Sequence, residues 1–383
     1  MAYPLPLASL ESAPLRPGAL DPLLALIEQH IAEKRYPGCQ LALAHQGRLV
    51  FNQSFGQARL GHGDPADTQA MAAQNDTLWL LYSNTKVITA TALWKLHEQG
   101  RLRFTDTVAD HLPEFAQHDK GAITLFQVIT HQGGFPDAEV PLELTGDHAR
   151  VRERVCDFKL QWEPGSRVHY HGLSAHWVLG MVIEAITGQD FRQAITDLVI
   201  RPLGLENDLF VGLPRSELSR MSFLYQPGST AGSYAMRFES TSEAWQQCGA
   251  PGGGGYGTAR GMVALYQMML QGGQLNGVQL LSPRTLAYAI RNHTDERVDE
   301  FMGMAMHRGL GPHVRGHTVG MRGLGSLASP RAYGHGGVGT SYCWADPDSG
   351  LSFAYITNSR VPDPWHSVRL DQVSNLVHAA IQT

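Results

Sequence analysis

Apolar residues recur at helical spacing in five stretches of this chain. Leu23, Leu24, Leu26, Ile27 and Ile31 form a stripe over residues 21–34. Val87, Ile88, Ala90, Ala92, Leu93 and Leu96 predict a helix that opens at Ser83 and ends near Gly100, which suits the left-handed residue after a helix. Further helices are predicted at 173–186, closed by Thr187-Gly188, at 261–270, and at 364–381, where Val368, Val373, Leu376, Val377 and Ile381 make the stripe. Strand-like runs lie near the two ends instead. Residues 39–44 and 49–55 flank His45-Gln46-Gly47-Arg48, and 340–345 and 351–357 flank Asp346-Pro347-Asp348-Ser349-Gly350, so each pair predicts a hairpin.

Between about 105 and 250 the pattern is helical, broken by Pro, Gly and Asp, with little alternation. Residues 1–20 hold four prolines and predict a loosely attached arm. Strands at both ends around a helical middle predict an α/β fold. A mixed or antiparallel central sheet, flanked by helices, would be built from 21–104 and 251–383, with 105–250 as a helical domain inserted between them. Gly252-Gly253-Gly254-Gly255 marks the crossing back. It is not read as a phosphate cradle, because no Lys-Ser/Thr follows it. The cleft between the two regions is the expected pocket.

Composition narrows the function. A hydrophobic fraction of 43% and a charged fraction of 17% over 383 residues describe an ordinary globular chain. A net charge of −5 offers no basic face for nucleic acid. No apolar run reaches the ~18 residues of a membrane span, and the start lacks the pattern of a signal peptide, so a cytoplasmic protein is expected. Cys39, Cys156, Cys248 and Cys343 are scattered and read as structural thiols. His307, His313 and His317 lie in a Gly-rich stretch without an H-E-x-x-H, so no metal is expected. No cofactor is implied.

One tetrapeptide carries the chemistry. Ser83-Asn84-Thr85-Lys86 puts a hydroxyl and an amine at i and i+3, on one helical face. The ordinary reading is a snorkelling lysine beside an N-cap serine. Yet of 30 basic residues only five are lysine, and Lys86 alone has a serine three positions before it. Its neighbours are apolar, and a desolvated lysine is a base that can activate a serine. Pro164-Gly165-Ser166-Arg167-Val168-His169-Tyr170 then leads to a helix start, and Gly334-His335-Gly336-Gly337-Val338-Gly339 precedes or occupies a strand where glycines permit close approach of a substrate. His169 and His171 flank Tyr170, but without a G-x-S-x-G elbow a Ser-His-Asp triad is set aside.

Taken together, these motifs resemble class C β-lactamase-type serine hydrolases, and within them the family VIII carboxylesterases. The resemblance runs from about residue 22 to 380. It rests on Ser83-Asn84-Thr85-Lys86, on Tyr170 87 residues later, and on His335-Gly336-Gly337 165 residues further, where lactamases have Lys-Thr-Gly. Stretches 106–115, 123–134 and 201–205 are similar too. The resemblance implies that Ser83 is the acylated nucleophile, with Lys86 and Tyr170 as general acid and base and the Tyr170 phenol made more acidic by the lysine. It also implies an oxyanion hole from the backbone N–H groups of Ser83 and Val338, and substrate contacts at Gly172, His335, Gly336 and Gly337.

Two departures from the lactamase pattern point to the substrate. Gly172 stands where lactamases have the Asn of Tyr-x-Asn, so no amide meets an acylamino group. His335 stands where they have a permanently charged lysine, which weakens any hold on a carboxylate. Neutral small-molecule esters are therefore the expected substrates, with acyl transfer to alcohols as a possible side activity. A D-amino-acid peptidase, a weak β-lactamase and a penicillin-binding-like receptor that does not turn over are the alternatives.

Overall fold

The computed structural model describes residues 3–61, 70–318, 320 and 323–382; Met1, Ala2 and Thr383, at the ends of the regions delineated above, lie outside the described residues. The chain enters helix α1 (Asp21–Ala32), then strands β1 (Gly38–His45), β2 (Arg48–Arg59) and β3 (Met71–Ala72). Helices α2 (Thr85–Glu98), α3 (Ser174–Thr187) and α4 (Ala259–Leu270) follow, separated by shorter elements. Strands β4 (His313–Val314), β5 (Tyr333–Gly337), β6 (Ser341–Asp346) and β7 (Leu351–Thr357) and helix α5 (Trp365–Ala380) complete the principal elements.

The central sheet has seven strands in the order β4-β5-β6-β7-β1-β2-β3, all antiparallel. Its middle joins the two ends of the chain, β1 lying beside β7 with Cys39 opposite Thr357. Side chains on β1 alternate between the two faces, as strand geometry requires. Cys39, Leu41 and Leu43 pack in one cluster with Leu23 and Ile27 of α1 and Val373 and Val377 of α5. Ala42 and Ala44 belong to the other cluster, with Met262 and Val263 of α4. Helices therefore cover both faces, which is why β1 and β7 are apolar and buried almost throughout.

The expected hairpins are present within one residue of their predicted ends, except that β2 runs four residues further than expected, to Arg59. The first residues are more firmly seated than their prolines suggest. Leu5, Leu15 and Leu20 are buried, Ala8 N donates to Leu49 O at 3.0 Å, and Arg16 N donates to Ala380 O at 2.9 Å, so the segment is packed on the sheet domain.

The middle of the chain is mainly short helices, with α3 buried from Ser174 to Ile183. A small antiparallel sheet not expected from the pattern joins Trp79–Leu80, Gly255–Gly257 and Leu209–Val211. It brings the residues just before Ser83 against the glycine run at 252–255.

Candidate active site

Ser83 sits in a single tight turn, Tyr82–Asn84, immediately before α2. Tyr82 has φ +44, a left-handed conformation that costs energy for a non-glycine residue and must be held by its surroundings. The clamps are visible. Leu81 N donates to Gly255 O at 2.9 Å. Thr85 Oγ1 donates to Tyr82 O at 2.6 Å and accepts from Gly255 N at 2.9 Å. Asn84 Nδ2 donates to Ser341 Oγ on β6 at 2.9 Å, and Tyr82 OH donates to the buried Glu239 carboxylate at 2.6 Å.

One turn on, Lys86 is wholly buried. Its Nζ lies 2.7 Å from Gly172 O, 2.7 Å from Gly252 O and 3.2 Å from Ser83 Oγ. Burial, reinforced by the Arg308 guanidinium, holds its pKa well below the usual lysine range. Tyr170 reaches the same point from the loop before α3, its OH donating to Ser83 Oγ at 2.8 Å. The three groups predicted from sequence therefore converge on one hydroxyl.

The phenol is not acidified, contrary to expectation. Burial pushes Tyr170 up to about 12; the hydrogen bond to Ser83 and the Arg308 charge oppose that rise, and Asp299 adds to it. Desolvation of a would-be phenolate outweighs the nearby cations.

The third motif lies on β5, with His335 opposite Cys343 of β6. A β-carbon at Gly337 would lie 2.6 Å from Ser341 Oγ and 2.7 Å from Leu81 O, so only glycine lets this strand run against the Ser83 turn. Val338 follows directly and is 48% exposed. The His335 ring is buried, donates from Nδ1 to Gly336 O at 2.9 Å, and is held neutral by desolvation, with Lys86 adding to the effect. At Gly172 an added β-carbon would meet nothing within 4 Å, so the space an asparagine would occupy is open.

Several neighbours escaped the sequence reading. The Gly252 carbonyl is a partner of Lys86, and the only signal for it was the glycine run itself. Asp299, buried on a two-residue strand, accepts from Tyr170 N at 3.2 Å and pairs with buried Arg308, which packs 4.9 Å from the Tyr170 ring centre. No motif spacing announces either. The His131 ring lies tilted against the Tyr170 ring, their centres 4.7 Å apart, and His176 is buried near Lys86, with burial keeping both imidazoles far below their ordinary pKa.

Elsewhere, His148, Glu184 and Asp190 bring donor atoms within 4.8 Å of one another, a grouping the sequence gave no reason to expect. These groups are already engaged: His148 with Glu184, Glu184 with Phe191 N at 2.9 Å, and Asp190 with Arg192. All four cysteines are buried free thiols. Among the described residues no helix is long and apolar enough to cross a membrane.

A hydroxyl touched by a depressed amine and a phenol, in a turn fixed from four sides, can form and release an acyl group. Known proteins have similar sequences and folds. The chain is 27% identical over 387 residues to an Escherichia coli (strain K12) protein named "Putative D-alanyl-D-alanine carboxypeptidase", covering 92% of this chain and 87% of that one. It is 26% identical over 374 residues to "Esterase/beta-lactamase LipL" of Mycobacterium tuberculosis, covering 89% and 82%. The solved structure of a family VIII carboxylesterase superposes with a TM-score of 0.77 at 26% identity, over 94% of this chain and 98% of that chain. The sequence model of the Beta-lactamase family matches residues 23–376. On that near-complete match, the chain belongs to the Beta-lactamase family, as a class C-like serine hydrolase.

Proposed function

We propose that the protein is a serine carboxylesterase acting on neutral esters. The observation that carries this reading is Ser83 Oγ, 2.8 Å from Tyr170 OH and 3.2 Å from Lys86 Nζ. A neutral amine has two N–H groups and one lone pair. The carbonyls of Gly172 and Gly252, each 2.7 Å away, take the two N–H groups and leave the lone pair for the Ser83 proton. Lys86 is then the base of the first step, and the undissociated Tyr170 phenol is the acid.

Ser83 Oγ bonds to the ester carbonyl carbon as its proton passes to Lys86. The tetrahedral oxyanion is received by the N–H groups of Ser83 and Val338, each such donor being worth about 3 kcal/mol in comparable sites. The C–O bond to the alcohol breaks, and the alkoxide leaves with the Tyr170 proton, which Lys86 replaces. Water then attacks the acyl-enzyme by the same route in reverse and releases the acid. An alcohol in place of water gives acyl transfer.

Two features favour esters over lactams and peptides. Gly172 presents no amide to an acylamino group, and His335, buried and neutral, attracts no carboxylate. The name of the Escherichia coli relative keeps D-amino-acid peptide cleavage as the second reading. Ser83→Ala should abolish hydrolysis of a chromogenic butyrate ester while leaving the far-UV circular dichroism unchanged. Retained turnover would remove the proposal. A parallel assay of the ester, a chromogenic cephalosporin and a D-alanyl amide separates the readings, the ester being the fastest substrate by at least tenfold. Intact mass after ester exposure should return the free protein; a lasting acyl adduct would instead identify a receptor.

A further inference from the structure

Asp299 and Arg308 form a buried ion pair that no step above uses. The two residues are 0% and 1% exposed, and the guanidinium binds the carboxylate through both Nε and Nη2. Burying two charges is costly, and such a pair often adds nothing to stability. This one lies against the relay.

Asp299 ends the strand Val298–Asp299, which pairs with Met304–Ala305. Its second carboxylate oxygen accepts from Tyr170 N at 3.2 Å, from Phe301 N at 3.1 Å and from Met302 N at 3.2 Å. Glu300 N donates to Val168 O at 2.9 Å, so this hairpin is stitched to the loop that carries Tyr170. Arg308 completes the arrangement. Its Cζ packs 4.9 Å from the Tyr170 ring centre, and its Nη1 donates to His313 Nε2 at 2.7 Å. The His313 ring in turn lies tilted against that of His335 of the third motif, their centres 4.2 Å apart.

We propose that Arg308, tethered by Asp299, is a positioning residue for the relay: it fixes the Tyr170 ring over Ser83 and supplies the fixed cation of a site whose third motif holds only an imidazole. This rests on the Ser83–Lys86–Tyr170 reading above. A guanidinium keeps its charge at any working pH. It disfavours a proton on Lys86 and favours a Tyr170 that has given its proton away, while Asp299 acts on Tyr170 in the opposite sense. The groups facing Tyr170 are Ser83 and Lys86 from the α2 side, His131 and His335 from two other elements, and Asp299 and Arg308 from the hairpin and the turn after it. The imidazoles are held neutral by burial, so Arg308 is the charge whose removal changes the field.

The test uses ester hydrolysis by the full chain. Arg308→Met should lower kcat on a butyrate ester about 100-fold with KM within threefold. It should also move the acidic limb of kcat/KM upward by about one pH unit, as Lys86 becomes easier to protonate. Arg308→Lys, which keeps the charge, should recover to within about tenfold of the parent. If Arg308→Met fails to fold because Asp299 is left unpaired, Asp299→Asn with Arg308→Met removes both charges and keeps the oxygen that accepts from Tyr170 N; the same loss and pH displacement are expected. A folded Arg308→Met variant, alone or with Asp299→Asn, whose kcat stays within threefold overturns the proposal. So does a loss that leaves the pH profile in place, which would assign Arg308 to structure alone. Ser83→Ala, run beside them, separates the two claims: if it stays active the underlying relay is wrong, whatever the Arg308 variants do.

Discussion

Gly172 is the residue at which substrate preference is most economically tested. Its carbonyl holds Lys86, but its α-carbon faces open space. Its φ is not among the left-handed values, so a side chain brings no backbone strain. Gly172→Asn should fold with a Tm within a few degrees of the parent. It should also raise the rate on a cephalosporin or D-alanyl amide relative to the butyrate ester by tenfold or more. An unchanged ratio would mean that the missing amide does not set the preference. At this scale the chemistry was largely legible, because Ser83 and Lys86 announce themselves by their three-residue spacing. Tyr170 could be found only from a resemblance. Its raised pKa could not be foreseen, because burial depends on elements distant in sequence.

Among the elements, the Tyr82–Asn84 turn and the start of α2 hold Ser83, and Thr85 is the hinge pin. Its hydroxyl serves both Tyr82 O and Gly255 N, so it joins the strained turn to the small sheet. Thr85→Val keeps the shape and removes both hydrogen bonds. Leaving a buried donor and acceptor unpaired costs about 1–3 kcal/mol for each. The expected result is a clear fall in the denaturation midpoint, together with a tenfold or greater fall in kcat as Ser83 drifts. A stability loss with kcat unchanged would show that the turn needs no such pin. Helix α2, which follows this turn, was readable from its apolar residues. Trp79–Leu80, Leu209–Val211 and Gly255–Gly257 were not, because two or three residues are too short to display a period. Asp299, on a strand of two residues, was hidden for the same reason.

For the whole molecule, buried histidines set the acid limit of stability. His171 is held down to about 4 by burial, His30 to about 4 and His366 to about 3, and His131, His176 and His335 are lowered as well. An unfolded chain takes up these protons near pH 6.5 while the folded chain refuses them to about pH 4. In that window the unfolded state binds more protons, so stability falls as pH falls. Each such histidine steepens the fall by about 1.4 kcal/mol per pH unit. Urea melts between pH 7.5 and 4.5 should therefore show a free energy that already falls gently with pH above 7, through the depressed Lys86, and steepens by more than one further proton below 6.5. A flat profile would contradict the burial. The union of both chain ends in one sheet was legible, since two turn-bearing hairpins lie far apart in sequence. The two-residue edge strands β3 and β4 were not.

The central claim is that Ser83 becomes acylated because Lys86 and Tyr170 meet it at one point. Peptide mapping by mass spectrometry after exposure to a chromogenic alkyl phosphonate reads this most directly. The account predicts one phosphonyl group per chain, on Ser83, formed rapidly in the parent, at least 100-fold more slowly in Lys86→Ala, and not at all in Ser83→Ala. Labelling at any other residue, or full-rate labelling without the lysine, would contradict it.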